Sequence, residues 1–175
     1  AEVRAFRVDL DLPPRLRWKG VCEAYREMWE KRLKPYMQAL RKDYGAEAFR
    51  TTVDVLRGIS SARYPEMLEE MTGLASLSKG SLSVDDLIFL HFMYEVTQGC
   101  TAIVCRETSG GDAFIGRTLD WHLPILRELT IEVHFCKGKR LLFVAPSWAG
   151  YVGVLTVVRP HAYAVAVNFR VSRED

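Results

Sequence analysis

A cysteine stands at position 100, directly after Gly99, where the chain changes from helical to strand-like patterning. Downstream comes Gly116-Arg117-Thr118-Leu119-Asp120-Trp121, on a segment expected to return beside that cysteine. The thiolate is the reactive form of cysteine, and a nearby cation favours it. Arg117 can supply that cation, while Asp120 can hold an amine or orient the guanidinium. Asn168, late in the last strand, carries a side-chain amide of the kind that stabilises an oxyanion. The types fit a thiol nucleophile with electrostatic support. Plainer readings exist for each: a buried structural cysteine, an Arg117–Asp120 surface ion pair and a turn-facing Asn168. Regular alternation would put positions 117 and 120 on opposite faces unless a bulge intervenes.

Other ligand and nucleophile patterns are missing. There is no C-x-x-C pair, and His91, His122, His134 and His161 show no zinc spacing, so neither metal nor cofactor is expected. The histidines form no recognisable Cys-His pair. Four cysteines are too few for a disulfide scaffold. Cys22 and Cys136 should pack as small hydrophobes, and Cys105, at an odd offset from Cys100, should face the core.

The elements that must position these residues fall into two parts. Residues 1–99 read as helical and 100–175 as antiparallel strands, an α+β chain. Val21, Ala24, Tyr25 and Met28 fall at helical spacing. Pro35 should kink or end that helix. A second run carries Leu40, Phe49, Val53 and Leu56, and Gly58-Ile59-Ser60-Ser61 should break it. Tyr64 to Met71 reads as a short helix. Ser83 with Asp86 forms a capping box opening a buried helix from Val84 to about Glu95. Three hairpins follow: 100–106 with 113–120 around Ser109-Gly110-Gly111-Asp112, 130–136 with 140–144, and 151–158 with 163–169. These six strands should make one antiparallel sheet with the helices on one face. Trp148 and Tyr151, beside Gly150 and Gly153, read either as sheet packing or as a wall of an apolar pocket.

Charge and hydropathy narrow the partners. Lys plus Arg total 24 and Asp plus Glu 22, a net charge of +2, so no strong field favours nucleic acid. The longest apolar stretch, Leu87 to Val96, contains His91 and Glu95 and is too short to span a bilayer. The only asparagine begins Asn168-Phe169-Arg170, which is not a glycosylation acceptor.

Four segments, in order, resemble the N-terminal-nucleophile cysteine hydrolases of the acid ceramidase and N-acylethanolamine-hydrolysing acid amidase type, relatives of the choloylglycine hydrolases. Leu82 to Glu95 resembles the helix before the family's cleavage site, and Cys100-Thr101-Ala102-Ile103-Val104 its new N-terminus. Gly116 to Asp120 resembles its Gly-Arg-Asn-x-Asp motif, with Thr118 in place of Asn. Ala149 to Thr156 resembles its Gly-Tyr-Val-Gly segment. The resemblance implies self-cleavage at Gly99–Cys100, with 1–99 as an α-subunit-like propeptide that stays associated with 100–175. Cys100 would then form a thioester with an N-acyl lipid amide of ceramide or acylethanolamide type. Its α-amine would serve as local base, Arg117 would polarise the site, Asp120 would hold the α-amine, and Asn168 would donate to the oxyanion. Trp121, Trp148 and Tyr151 would line the substrate site. The implied fold is an αββα sandwich. This chain carries about one of its two sheets, and a further segment or chain would complete it. An acyltransferase of the same fold and a non-enzymatic subunit that pairs with a partner are the alternatives. The family's compartment is often lysosomal; a chain from which no leader was removed would be cytoplasmic.

Overall fold

The computed structural model describes residues 3–96, 99–106, 113–120 and 123–168. The first element is a strand, β1 (Arg4–Asp9), not the start of the helical segment. Its apolar side is short, with Val8 buried and Phe6 half-buried, too little alternation to read as a strand. A 3₁₀ turn (Pro14–Leu16) leads to α1 (Lys19–Met28), a π turn (Trp29–Leu33) and α2 (Lys34–Tyr44). Pro35 sits in the first turn of α2, where its missing N–H costs least. The path is therefore modulated by the π turn ahead of it and is not ended by the proline.

Gly45, at φ 92°, separates α2 from α3 (Ala46–Arg63), so Leu40 and Phe49 lie on different helices. Contrary to expectation, α3 runs straight through Gly58. A helical glycine costs only about 1 kcal/mol, and the face carrying Phe49 and Val53 outweighs it. α4 (Pro65–Leu77) is longer than expected, and α5 spans Val84–Val96. The capping box opening α5 forms reciprocally: the Ser83 N–H donates to Asp86 Oδ2 (2.9 Å) and the Asp86 N–H to Ser83 Oγ (3.1 Å).

The strands form two sheets, where the sequence suggested one. β2 (Gly99–Arg106) and β3 (Ala113–Asp120) pair antiparallel with each other. The turn expected at Ser109–Asp112 lies outside the described residues. The second sheet has the order β1-β4-β5-β6-β7, with β4 Thr130–Lys137, β5 Arg140–Trp148, β6 Thr156–Arg159 and β7 Tyr163–Ala166. A short helix, α6 (Ile125–Leu129), precedes β4. β1 pairs parallel with β4 from Arg4↔Ile131 to Asp9↔Cys136, so this sheet is mixed. A parallel pair needs a long crossover, and every helix from α1 to α5 lies within it.

The helices cover one face of the larger sheet. Val8, Ile131, Val133 and Ala145 are fully buried together with Trp18, Trp29, Leu33 and Leu74. The Trp29 indole N–H donates to the Ala149 carbonyl at 3.2 Å. Gly150, at φ 103°, lets that loop pass the Trp29 ring and Leu33. Arg17 fastens the exit of β1 to α4: it donates to the carbonyls of Leu10 (2.8 Å) and Leu12 (3.0 Å) and pairs with the buried Glu70 at 2.7 Å. Trp18 donates its indole N–H to the same carboxylate. Cys22 and Cys136 are buried, whereas Cys105 is exposed and not in the core. It lies on the face of the separate two-stranded sheet away from Cys100, beside exposed Ile103 and Phe114. No helix among the described residues is long and apolar enough to cross a membrane.

The close approach of α4 to the 3₁₀ turn predicts opposite signs at two helical glycines. A Cβ at Gly73 would overlap the backbone of Arg15, whereas one at Gly58 meets nothing within 4 Å. Thermal denaturation should find Gly73→Ala destabilised by about 1–3 kcal/mol. Gly58→Ala should be stabilised by roughly 0.5–1 kcal/mol. Equal effects at the two positions would contradict this packing.

Candidate active site

The register of β2 and β3 decides which side chains meet. Cys100 lies opposite Leu119 and Ala102 opposite Arg117, without a bulge. Side chains at 100, 102, 117 and 119 therefore share one face of the ladder. On that face Cys100 is buried, and Arg117 reaches diagonally toward it. The Arg117 Nη2 donates to Cys100 Sγ at 3.1 Å and to the Val167 carbonyl at 2.9 Å. It also lies 3.4 Å from the Tyr94 hydroxyl, which is itself 3.7 Å from the sulfur. Tyr94 comes from α5, so three separate parts of the chain converge on one thiol. The buried Arg117 Nε has no hydrogen-bond partner among the described residues.

Asp120 sits on the other face. It pairs with Gly99 in the ladder, and its Oδ2 lies 3.7 Å from where a Cβ on Gly99 would be. The expected alternation holds: no Arg117–Asp120 ion pair forms among the described residues. The carboxylate is next to the Gly99–Cys100 peptide bond, not next to the sulfur. Asn168 follows Val167, whose carbonyl Arg117 engages, but Asn168 is exposed. Its amide makes no hydrogen bond to Cys100, Arg117 or Tyr94 among the described residues. An oxyanion donor has to face the reacting carbon, so sequence position alone did not bring Asn168 into this cluster.

Trp148 and Tyr151 pack edge to face, with ring centroids 5.5 Å apart. Tyr151 also stacks on His91 at 4.1 Å. Trp148 borders a cavity of about 410 Å³ together with Leu119, Leu123 and Leu126. Because Leu119 is the ladder partner of Cys100, this cavity opens beside the thiol's strand pair. Trp121 lies outside the described residues.

Two residues of this region were not picked out from sequence. Tyr94 was read only as the end of a buried helix; its signal is a hydroxyl in an otherwise apolar helix shortly before Cys100. His91 was judged to lack a cysteine partner, and it has none here. Instead its Nδ1–H donates to the Leu87 carbonyl (2.6 Å), and its Nε2 accepts the Val152 N–H (2.9 Å). His91 thus clips α5 to the loop before β6, with Tyr151 over its ring. The ring is half-buried, and its loss of water holds its pKa below the ordinary 6.5, outweighing the backbone groups of Leu87 and Val152 that would favour the charged form. Burial likewise pushes the Cys22 thiol up to about 12. Among the described residues, no cluster of three or more metal-ligating side chains occurs.

Comparison with known proteins adds names to this geometry. A family model described as the beta subunit of N-acylethanolamine-hydrolyzing acid amidase matches residues 1–57. The chain is 29% identical over 176 residues to an uncharacterized protein of Acanthamoeba polyphaga mimivirus, covering 99% of this chain and 52% of that one. It is 28% identical over 185 residues to a probable acid ceramidase of Caenorhabditis elegans, covering 95% and 45%. An N-acylethanolamine-hydrolyzing acid amidase of the same organism is 28% identical over 179 residues, covering 97% and 48%. The chain thus spans about half the length of the curated relatives it matches.

The desolvation of the half-buried His91 ring predicts a pH dependence of stability. Its folded pKa is depressed, so the unfolded chain takes up the proton first. The stabilisation is complete above the ordinary value of 6.5 and is lost as the pH falls below it toward the folded pKa. Melting temperatures measured from about pH 7.5 to 5 should fall for the wild type. His91→Gln should start lower and show a flatter profile below 6.5. An unchanged slope would remove His91 as the cause.

Proposed function

The chain belongs to the family of the acid ceramidases and N-acylethanolamine-hydrolysing acid amidases, and on that footing we propose that it is part of a self-cleaving cysteine amidase. The observation that carries the proposal is the Arg117 guanidinium at 3.1 Å from a buried cysteine that directly follows Gly99. A cation at that distance favours the thiolate.

In the first step, Cys100 Sγ attacks the Gly99 carbonyl carbon. The C–S bond forms, the peptide C–N bond breaks, and the thiol proton goes to the departing nitrogen. Water then hydrolyses the thioester, leaving a carboxylate on Gly99 and a free thiol and α-amine on Cys100. An α-amine has an ordinary pKa of about 7.7–8.0, so it can act as a base toward its own thiol. The position of Asp120 beside this peptide bond suits it to hold the new amine. In turnover the sulfur attacks the amide carbonyl of an N-acyl lipid and the proton is passed to the leaving amine. Water then releases the fatty acid. Asn168 joins as oxyanion donor in the complete protein.

The cavity between Leu119 and Trp148, with leucines on one side and Arg127 and Thr130 on the other, has room for an acyl chain beside a polar group. The topology supports continued association of fragments 1–99 and 100–175. β1 belongs to the first fragment yet pairs with β4 of the second, and Trp29 bonds across to Ala149. Exposed Ile103 and Phe114 on the smaller sheet, with Val158 on the face of the larger sheet away from the helices, support a further layer. The αββα sandwich of the complete protein supplies that layer, and substrate turnover belongs to the completed assembly.

Denaturing intact mass before and after incubation at mildly acidic pH tests the first step. Fragments 1–99 and 100–175 should appear in the wild type and be absent in Cys100→Ala. Arg117→Ala should slow their appearance by about 10²-fold. A wild type that remains one uncleaved species at every pH would overturn self-activation, as would cleavage in Cys100→Ala.

A further inference from the structure

We infer that Arg127 makes this site selective for N-acyl amides whose amine part carries a carboxylate, that is, for N-acyl amino acids as a class. The inference rests on the amidase reading and deepens it, by naming the group that lies across the scissile bond from the acyl chain.

The wall of the cavity beside the Cys100 strand pair is divided. Leu119, Leu123, Pro124 and Leu126 form its apolar part, and Arg127 and Thr130 its polar part. An amide has two substituents. The acyl chain matches the leucines, and the amine part is left to Arg127 and Thr130.

Local structure leaves this guanidinium available. α6 buries Ile125, Leu126 and Leu129 and turns positions 127 and 128 outward. The carboxylates closest in sequence are engaged or averted. Glu128 pairs with Arg32 at 2.6 Å, and Glu132 bonds to His134 at 2.6 Å. Asp120 stands on the ladder face opposite that of Leu119. The Arg127 side chain makes no ion pair or hydrogen bond among the described residues.

Thr130 is committed in a different way. Its Oγ1–H donates to the Leu126 carbonyl at 2.8 Å, so toward the cavity the oxygen presents lone pairs. The wall therefore offers one acceptor and one forked cationic donor. An amide N–H followed by a carboxylate complements both. A neutral hydroxyl in that place would leave the guanidinium without a counter-charge, whereas a carboxylate accepts from two of its N–H groups at once. Arg127 is exposed, so water already solvates its charge and salt screens it. The expected discrimination is accordingly about tenfold, the value of one charged hydrogen-bonded contact.

Binding is read in the full chain carrying Cys100→Ala, which removes turnover. The probes are N-octanoylglycine, N-octanoylethanolamine and octanoate, each titrated by calorimetry. N-Octanoylglycine should bind about tenfold more tightly than N-octanoylethanolamine at low salt, and the ratio should shrink toward one in about 0.5 M NaCl. Arg127→Gln should bring the ratio near one, and Arg127→Lys should leave it in between. Octanoate carries its carboxylate where the scissile carbonyl would be, and should bind about tenfold more weakly than N-octanoylglycine. Three results would each overturn the inference: no preference for N-octanoylglycine in the chain with Arg127, a preference untouched by Arg127→Gln, or octanoate binding as tightly as N-octanoylglycine. Absence of binding by either amide would overturn it too. The salt series needs no change at position 127, so it decides the matter if an Arg127 variant fails to fold. None of these readouts depends on self-cleavage. Loss of cleavage with an Arg127-dependent preference would sink the amidase reading and leave a site for N-acyl amino acids. Cleavage without that preference would sink this inference alone.

Discussion

The guanidinium of Arg117 is the joint on which the site depends. One nitrogen faces a sulfur from β2, a carbonyl from the stretch after β7 and a phenol from α5. None of these is near Arg117 in sequence, so each must be delivered by a different piece of the fold. The β2–β3 register delivers Cys100. A slip of one residue would turn Cys100 to the opposite face, where Asp120 lies. The loop before β6, clipped to α5 by His91, helps to set where the last strands run. α5 itself is anchored by its capping box and by burial of Leu87, Phe89 and Leu90. Because interiors are close-packed, an error in any of these would be felt at the sulfur.

Electrostatics gives the same cluster its chemical bias. A buried cysteine in apolar surroundings is an inert one, as the raised thiol of Cys22 illustrates. Cys100 is equally buried but has a cation and a phenol within contact distance. Asp120 is kept off this face by strand alternation. It therefore stands near the peptide bond without adding a second negative charge beside the sulfur. In the proposed mechanism, favouring a thiolate and holding an ammonium would conflict in one plane, and the two side chains that would do so stand on opposite faces of the β-ladder.

Much of this was readable in the residues, and what was missed shares a cause. The helix opening at Val84, its capping box and the pairing of 100–106 with 113–120 followed from local chemistry: a hydroxyl–carboxylate pair, alternation and a glycine-rich turn. Period 2 separated Arg117 and Asp120 only if no bulge intervened, a condition that the sequence left open and the β2–β3 register meets. β1 was missed because six residues offer Val8 and Phe6 alone as an apolar stripe, and because its partner is most of the chain away. The glycine at 58 was read as a breaker, because its cost is visible in the sequence while the compensating burial of Phe49 and Val53 is not. Cys105 was assigned to a core because alternation gives the face of a strand but not what covers that face. Tyr94 was legible only as a helical apolar position; its contact with Sγ depends on how α5 crosses the ladder, which no local pattern encodes.

The parallel pairing of β1 with β4 bears on why a chain cut in its middle would hold together. Hydrogen bonds of the Arg4–Asp9 ladder and the core of Val8, Trp18, Trp29 and Leu33 lie on one side of residue 99, and their partners lie on the other. Cutting a connection adds entropy to the unfolded chain but removes no native contact when the break lies outside the ladders of the larger sheet. The Gly99–Cys100 bond meets that condition, being at the end of the separate two-stranded sheet. The strand order would thus confine the effect of a break there to the strand pair that holds Cys100. Were that bond cut, the new α-amine would lie beside Asp120, and the sulfur would keep its neighbours Arg117 and Tyr94. A fold in which β1 paired within its own half would lack this tie, and cleavage would then be a step toward dissociation.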